Sequence, residues 1–108
     1  MKLIITNSSG WDVWAIAARV KVNEIFVSVV KFFLTGDMVG STAPEKVPEP
    51  PDGITVDMPD EPIKYIAPEG HTLKTKIVSG ATPDGNSGIL VNILEVIQLS
   101  VDPTRLPN

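Results

Sequence analysis

The chain has 108 residues, no cysteine, 43% hydrophobic residues and a net charge of −4. That length suits a single domain that buries roughly two-thirds of its unfolded surface, and the missing thiols exclude disulfides and thiolate metal sites. The acidic balance disfavours partners held by phosphate neutralisation, nucleic acid included.

The opening Met1–Asn7 carries one lysine and an apolar run of three residues, Leu3–Ile5, too short a run for a signal peptide. The longest apolar run, Ile25–Leu34, is interrupted by Ser28 and Lys31. A membrane span needs roughly 20 apolar residues, so none is expected and the protein is read as soluble.

Residues 3–6 form a short strand candidate, and Asn7-Ser8-Ser9-Gly10 is a turn cluster. The next stretch organises the chain. A strand is expected to start near Trp11, and from Trp14 to Val22 the residues Trp14, Ile16, Ala18, Val20 and Val22 alternate with Ala15, Ala17, Arg19 and Lys21. Apolar against small or charged, with period two, is the pattern of a strand with one buried face. The tryptophan-led set is expected to point inward. Asn23-Glu24 breaks the alternation, which implies a tight hairpin or a bulge there. Ile25, Val27 and Val29 then share one face, and Phe26, Ser28 and Val30 the other.

Residues 40–53 carry four prolines between positions 44 and 51. Proline removes ladder donors and favours extended polyproline II. The segment is a surface loop, or else an arm that lies on a neighbouring molecule. Strands are expected at 54–58, 63–67 and 72–78, separated by the turns 59–62 and 68–70. A loop rich in turn formers follows at 79–88. Residues 89–101 suit a strand by their β-branched content. Ile89, Leu90, Ile93, Leu94, Ile97 and Val101 also make a helical stripe. Residues 102–108 form a short tail with two prolines.

These elements predict one all-β domain over 1–108, a small antiparallel sandwich or barrel of six to seven strands. If 89–101 is helical, the class becomes α+β.

Signals for chemistry are sparse. His71 is the only histidine, so a multi-histidine metal site is impossible, and a Ser-His-Asp triad would need His71 as its base. Asp57, Asp60 and Glu61, and separately Asp84 and Asn86, supply oxygens without the spacing of a calcium loop. They read better as solvated turns. Arg19 and Lys21, with Lys74 and Lys76, would line one cationic surface if their strands were neighbours. The interleaved aromatics of a single-strand nucleic-acid platform are missing. No catalytic residue, metal or cofactor is assigned. A small carboxylate enzyme assisted by His71 is the weakest of the readings.

Five aromatic residues crowd the first third: Trp11, Trp14, Phe26, Phe32 and Phe33. From Ile25 to Phe33 both faces are largely apolar, which fits a strand buried on both sides of the core, or an exposed apolar patch that buries itself in a partner or an identical subunit. The expectation is therefore a non-enzymatic interaction protein, a homo-oligomeric assembly or decoration subunit of the shell or virion type. Its partner would be protein, either itself or a larger assembly. The expected contact residues are Ile25, Phe26, Val27, Val29, Val30, Phe32 and Phe33, with Pro48, Pro50 and Pro51. The alternative is a monomeric protein- or glycan-binding module, or an inhibitor, that uses loops 59–62 and 79–88.

Overall fold

A computed structural model describes residues 1–59, 61–81 and 87–99. It contains eight strands: β1 (Lys2–Asn7), β2 (Trp14–Val22), β3 (Ile25–Phe33), β4 (Glu45–Lys46), β5 (Ile54–Asp57), β6 (Ile63–Ile66), β7 (His71–Ala81) and β8 (Ser87–Gln98). They form two four-stranded sheets, ordered β5-β1-β8-β7 and β4-β2-β3-β6. The fold is an all-β sandwich. The ambiguous segment from 89 onward is strand as far as Gln98, in keeping with its dense β-branched residues. The strand beyond the expected six to seven is β4, two residues inside the proline-rich segment.

The sheets are mixed, where wholly antiparallel sheets were expected. β1 pairs β8 in parallel, and β3 pairs β6 in parallel. The first strand, β1, lies inside one sheet, and the last described strand, β8, runs beside it. No hairpin joins those two strands, so nothing forces them to run in opposite directions.

The interior is built from Leu3 and Ile5 of β1, Val30 and Phe32 of β3, and Val91, Ile93 and Val96 of β8, with Val13, Ala15, Val47 and Met58. Here the reading of β2 is corrected. Its inward residues are Ala15 and Ala17, which sit opposite Phe32 and Val30, and further along Arg19, opposite the buried Ser28. Trp14, Ile16, Ala18, Val20 and Val22 therefore point outward. Period two says that the two faces of a strand differ but not which one is buried. Large side chains from β3 and β1 fill the interior, so β2 contributes only small ones. The Trp14 ring is sheltered from outside instead: a Cβ built on Gly36 would lie 3.1 Å from its Nε1.

Asn23-Glu24 is a hairpin turn, with Val22 directly opposite Ile25. Both turn residues have positive φ, 50° and 69°, the signature of a two-residue type I′ connection. Asparagine tolerates that region, but glutamate carries a Cβ penalty of about 1 kcal/mol there. Glu24 also makes an exposed 3.5 Å ion pair with Lys21, a contact worth ~0–1 kcal/mol. Glu24→Gly is thus expected to raise stability modestly, by at most about 1 kcal/mol, with a higher urea midpoint. A lower midpoint would contradict this reading of the turn.

The proline-rich segment is a loop packed on the body, not an arm. Pro44 is buried and Val47 is 2% exposed. β4 pairs with Trp14 and Ala15 of β2. The Val47 amide donates to the Val13 carbonyl at 2.7 Å, and the Asn7 amide donates to Pro48 at 2.9 Å. Gly53 closes the segment against β1, where a Cβ would come within 3.0 Å of the Ile5 carbonyl oxygen.

Candidate interaction surface

In a sandwich strand, the outward face is ordinarily polar, because only the inward face is covered. The β2–β3 hairpin departs from this. Its outward cross-strand pairs are Trp14–Phe33, Ile16–Lys31, Ala18–Val29, Val20–Val27 and Val22–Ile25. Four of these five pairs are wholly apolar. Val20 is 40% exposed, Val22 52% and Ile25 62%, while Trp14, Ile16, Val27, Val29 and Phe33 are half-buried, so the apolar ladder is most open at the hairpin tip. Charge enters through Lys31, the partner of Ile16 on the second rung, and from the flanking strands through Lys46 of β4, opposite Trp14, and Lys64 of β6, opposite Val29.

Of the residues expected at a contact, Ile25, Val27, Val29 and Phe33 lie on this outward face. Phe26 is exposed on the opposite side of the hairpin. Val30 and Phe32 are fully buried core residues and form no part of a surface. Pro48 is half-buried beside Asn7, while Pro50 and Pro51 are exposed on the packed loop, away from the hairpin ladder. Val20, Val22 and Ala18 belong to the surface and were missed. The signal for them was present in the alternation of β2, but it was assigned to the wrong side.

The inward side of the hairpin tip carries a polar network. Arg19 Nε donates to both carboxylate oxygens of Glu61, at 3.0 and 3.3 Å, and its second nitrogen, Nη2, donates at 3.1 Å. The Arg19 guanidinium also lies 4.0 Å from the centre of the Phe26 ring, a cation–π distance. Ser28 donates to Glu61 at 2.9 Å, which satisfies a hydroxyl that is otherwise buried. The Arg19 hydrogen bonds hold the Glu61 carboxyl below its ordinary value of 4.5, against the opposing effect of burial, with Ser28 helping. A depressed carboxyl contributes stability that is complete above its unfolded value and is lost as pH falls through its folded value. The stability difference between wild type and Glu61→Gln should therefore be constant at neutral pH. It should shrink once pH drops below 4.5 toward the depressed value. Urea midpoints measured from neutral to strongly acidic pH check this. A difference that does not change with pH would refute it.

Beside β2 the sandwich is open. β4 pairs only with Trp14 and Ala15, and Pro44, which lacks an N–H, ends that pairing. Between the edge of β2 and β5 lies a slot of about 230 Å³, walled mainly by Ala15, Ala17, Val30, Ile5, Ile54 and Val56, with Thr42, Ala43 and Glu45 of the segment around β4 and Thr55 completing its lining. It exists because β2 places only alanines where the core needs volume. A wider cleft of about 640 Å³ separates Trp11 and Asp12 from the proline loop at Glu49, Pro50 and Asp52. Its charges are mostly acidic, and Lys46 is tied to Asp12 at 3.2 Å.

The other sequence candidates do not converge. The ring of His71 meets the edge of Trp11, with centroids 6.0 Å apart, and its Nδ1 lies 2.8 Å from the Glu69 carbonyl. Among the described residues, no serine or carboxylate side chain hydrogen-bonds to that ring. Asp57 lies opposite Lys2 on β5, whereas Glu61 is held by Arg19. Asp60, Asp84 and Asn86 fall outside the described residues, as do 82–86 of the expected 79–88 loop and all of the 102–108 tail. Among the described residues, no group of three or more His, Cys, Asp or Glu side chains gathers as a metal site. Arg19 and Lys21 lie in one sheet, Lys74 and Lys76 in the other, so the four cations line no common face. No helix among the described residues is long and apolar enough to cross a membrane.

No family model, curated protein or solved structure matches this chain.

Proposed function

We propose that this chain is a non-enzymatic assembly subunit that associates with copies of itself through the outward face of the β2–β3 hairpin. The observation that carries the reading is the run of wholly apolar cross-strand pairs on that face, ending at exposed Val22 and Ile25. An uncovered apolar face of this kind marks a contact with another protein. A twofold or ring arrangement of identical copies buries it with one surface on each chain. The setting we infer is soluble and shell- or virion-like, in which a small all-β subunit is built in many times.

Sedimentation velocity across a wide range of protein concentration tests the proposal. The expected result is a sedimentation coefficient that rises with concentration, or an oligomer at every concentration. A single monomeric species at millimolar protein would remove the proposal.

A further inference from the structure

The open edge of β2 and the slot beside it lie apart from the outward face and were not used above. The two-residue turn closes on a hydrogen-bonded pair, Val22–Ile25, so bonding alternates along the hairpin from there. Val22, Val20, Ala18 and Ile16 direct their backbone groups toward β3. Lys21, Arg19 and Ala17 direct theirs away from it. Val13 obeys the same parity, since its carbonyl accepts the Val47 amide from the β4 side. Beyond Ala15, no hydrogen bond among the described residues takes up the outward backbone groups of Ala17, Arg19 or Lys21. The volume of the slot, about 230 Å³, is below the roughly 300 Å³ at which small-molecule sites begin. It suits one large apolar side chain.

We infer that the β2 edge from Ala17 to Lys21 accepts an extended strand from a different protein, antiparallel to β2, with an apolar side chain inserted in the slot beside Ala17 and an acidic residue opposite Lys21. Main-chain bonds to an edge and a side-chain pocket on alternate positions are the two parts of strand addition. Charge decides the occupant. The inward-facing residues of this edge are Ala17, Arg19 and Lys21, and Lys21 is 53% exposed. A second β2 that engaged all three free residues would set Arg19 against its own copy and a lysine over the apolar slot. An acidic strand avoids both. Reading from its N-terminus, that strand places the acid first and the slot residue four positions later.

The probe is a synthetic peptide, acetyl-Thr-Glu-Val-Thr-Val-Leu-Thr-amide, titrated into the full chain by calorimetry and followed by amide hydrogen exchange. Glu then lies opposite Lys21, and Leu opposite Ala17. The expected result is saturable binding with slowed exchange at Ala17, Arg19 and Lys21. Affinity should fall about tenfold or more, a loss of at least one decade in Kd, in each of two variants. Lys21→Pro removes an outward donor that no strand among the described residues uses, and Ala17→Leu occupies the slot. Ala17→Leu keeps the test decisive if the proline variant does not fold.

Absence of binding up to about 1 mM peptide, or binding indifferent to both substitutions, overturns the inference. So does protection of Arg19 and Lys21 that grows with protein concentration in the absence of peptide, since a second copy would then hold the edge. Self-association through the outward face is read separately by sedimentation, so either proposal can fail without the other.

Discussion

The double substitution Val22→Asp with Ile25→Asp is expected to hold the chain as a monomer at concentrations where the wild type associates, while leaving its fold intact. The two positions are 52% and 62% exposed, so little packing is lost in the free chain. The cost there is the poor strand propensity of aspartate, within about 1 kcal/mol per site. In an associated state, the same carboxylates would be taken from water without a partner, which costs several kcal/mol. The association constant should therefore drop by about two orders of magnitude or more, read as the loss of faster-sedimenting species. Ile97→Asp is the control. Ile97 is 40% exposed but lies on β8 of the other sheet, and it should leave sedimentation unchanged. If Ile97→Asp dissociates the assembly and the hairpin variant does not, the contact lies on the other sheet.

The largest effect on stability is expected at Phe32. This ring is 1% exposed, sits on β3 opposite Ala15, and is the largest fully buried side chain. Phe32→Ala removes its transfer free energy and leaves a cavity beside Ala15 and Ala17, which are too small to fill it. The loss should be about 3–5 kcal/mol, roughly a fifth or more of the total stability of a domain of this size. Urea denaturation checks the figure. A loss under about 1 kcal/mol would mean that the site collapses around the gap and that Phe32 does not anchor the core. Because Phe32 lies on the buried side of β3, the variant also separates loss of fold from loss of association.

Much of the fold could be read in the residues. Alternation placed β3, β5 and β6 within a residue or two; β2 starts at Trp14 instead of near Trp11, and β7 runs on to Ala81. The alternation also groups Ile54, Val56 and Met58, then Ile63, Tyr65 and Ala67, then Leu73, Thr75 and Ile77, each set on one side of its strand; all are buried or half-buried except Ile77, which is 51% exposed. For β8 the pattern was blurred by a register shift. Thr75 pairs with Ile93 while Lys74 pairs with Glu95, so Leu94 is an extra residue. Buried positions therefore move from odd to even numbers between Ile93 and Val96. Such a bulge turns period two into something that resembles a helical stripe. β4 was hidden because two residues between prolines carry no periodicity.

The side of β2 that faces inward was illegible for a different reason. Burial depends on the volume supplied by the opposing strands, and no local pattern records that. The same limit governed the candidate surface. An apolar stretch from Ile25 to Phe33 was visible, but Val30 and Phe32 could not be told from Val29 and Phe33 until register divided them. The slot beside Ala17 follows from a tertiary shortage of volume, and the open edge from where β4 stops. Both come from packing, and neither leaves a motif.

The most direct measurement is a concentration series of amide nitrogen–proton NMR spectra on the wild-type chain, from micromolar to millimolar. The account predicts that resonances shift or broaden along Ala18–Val29 and at Phe33 and Lys64, and that residues at Trp11 and along β5 stay where they are. Spectra that do not change with concentration, or changes centred on the other sheet, would contradict it.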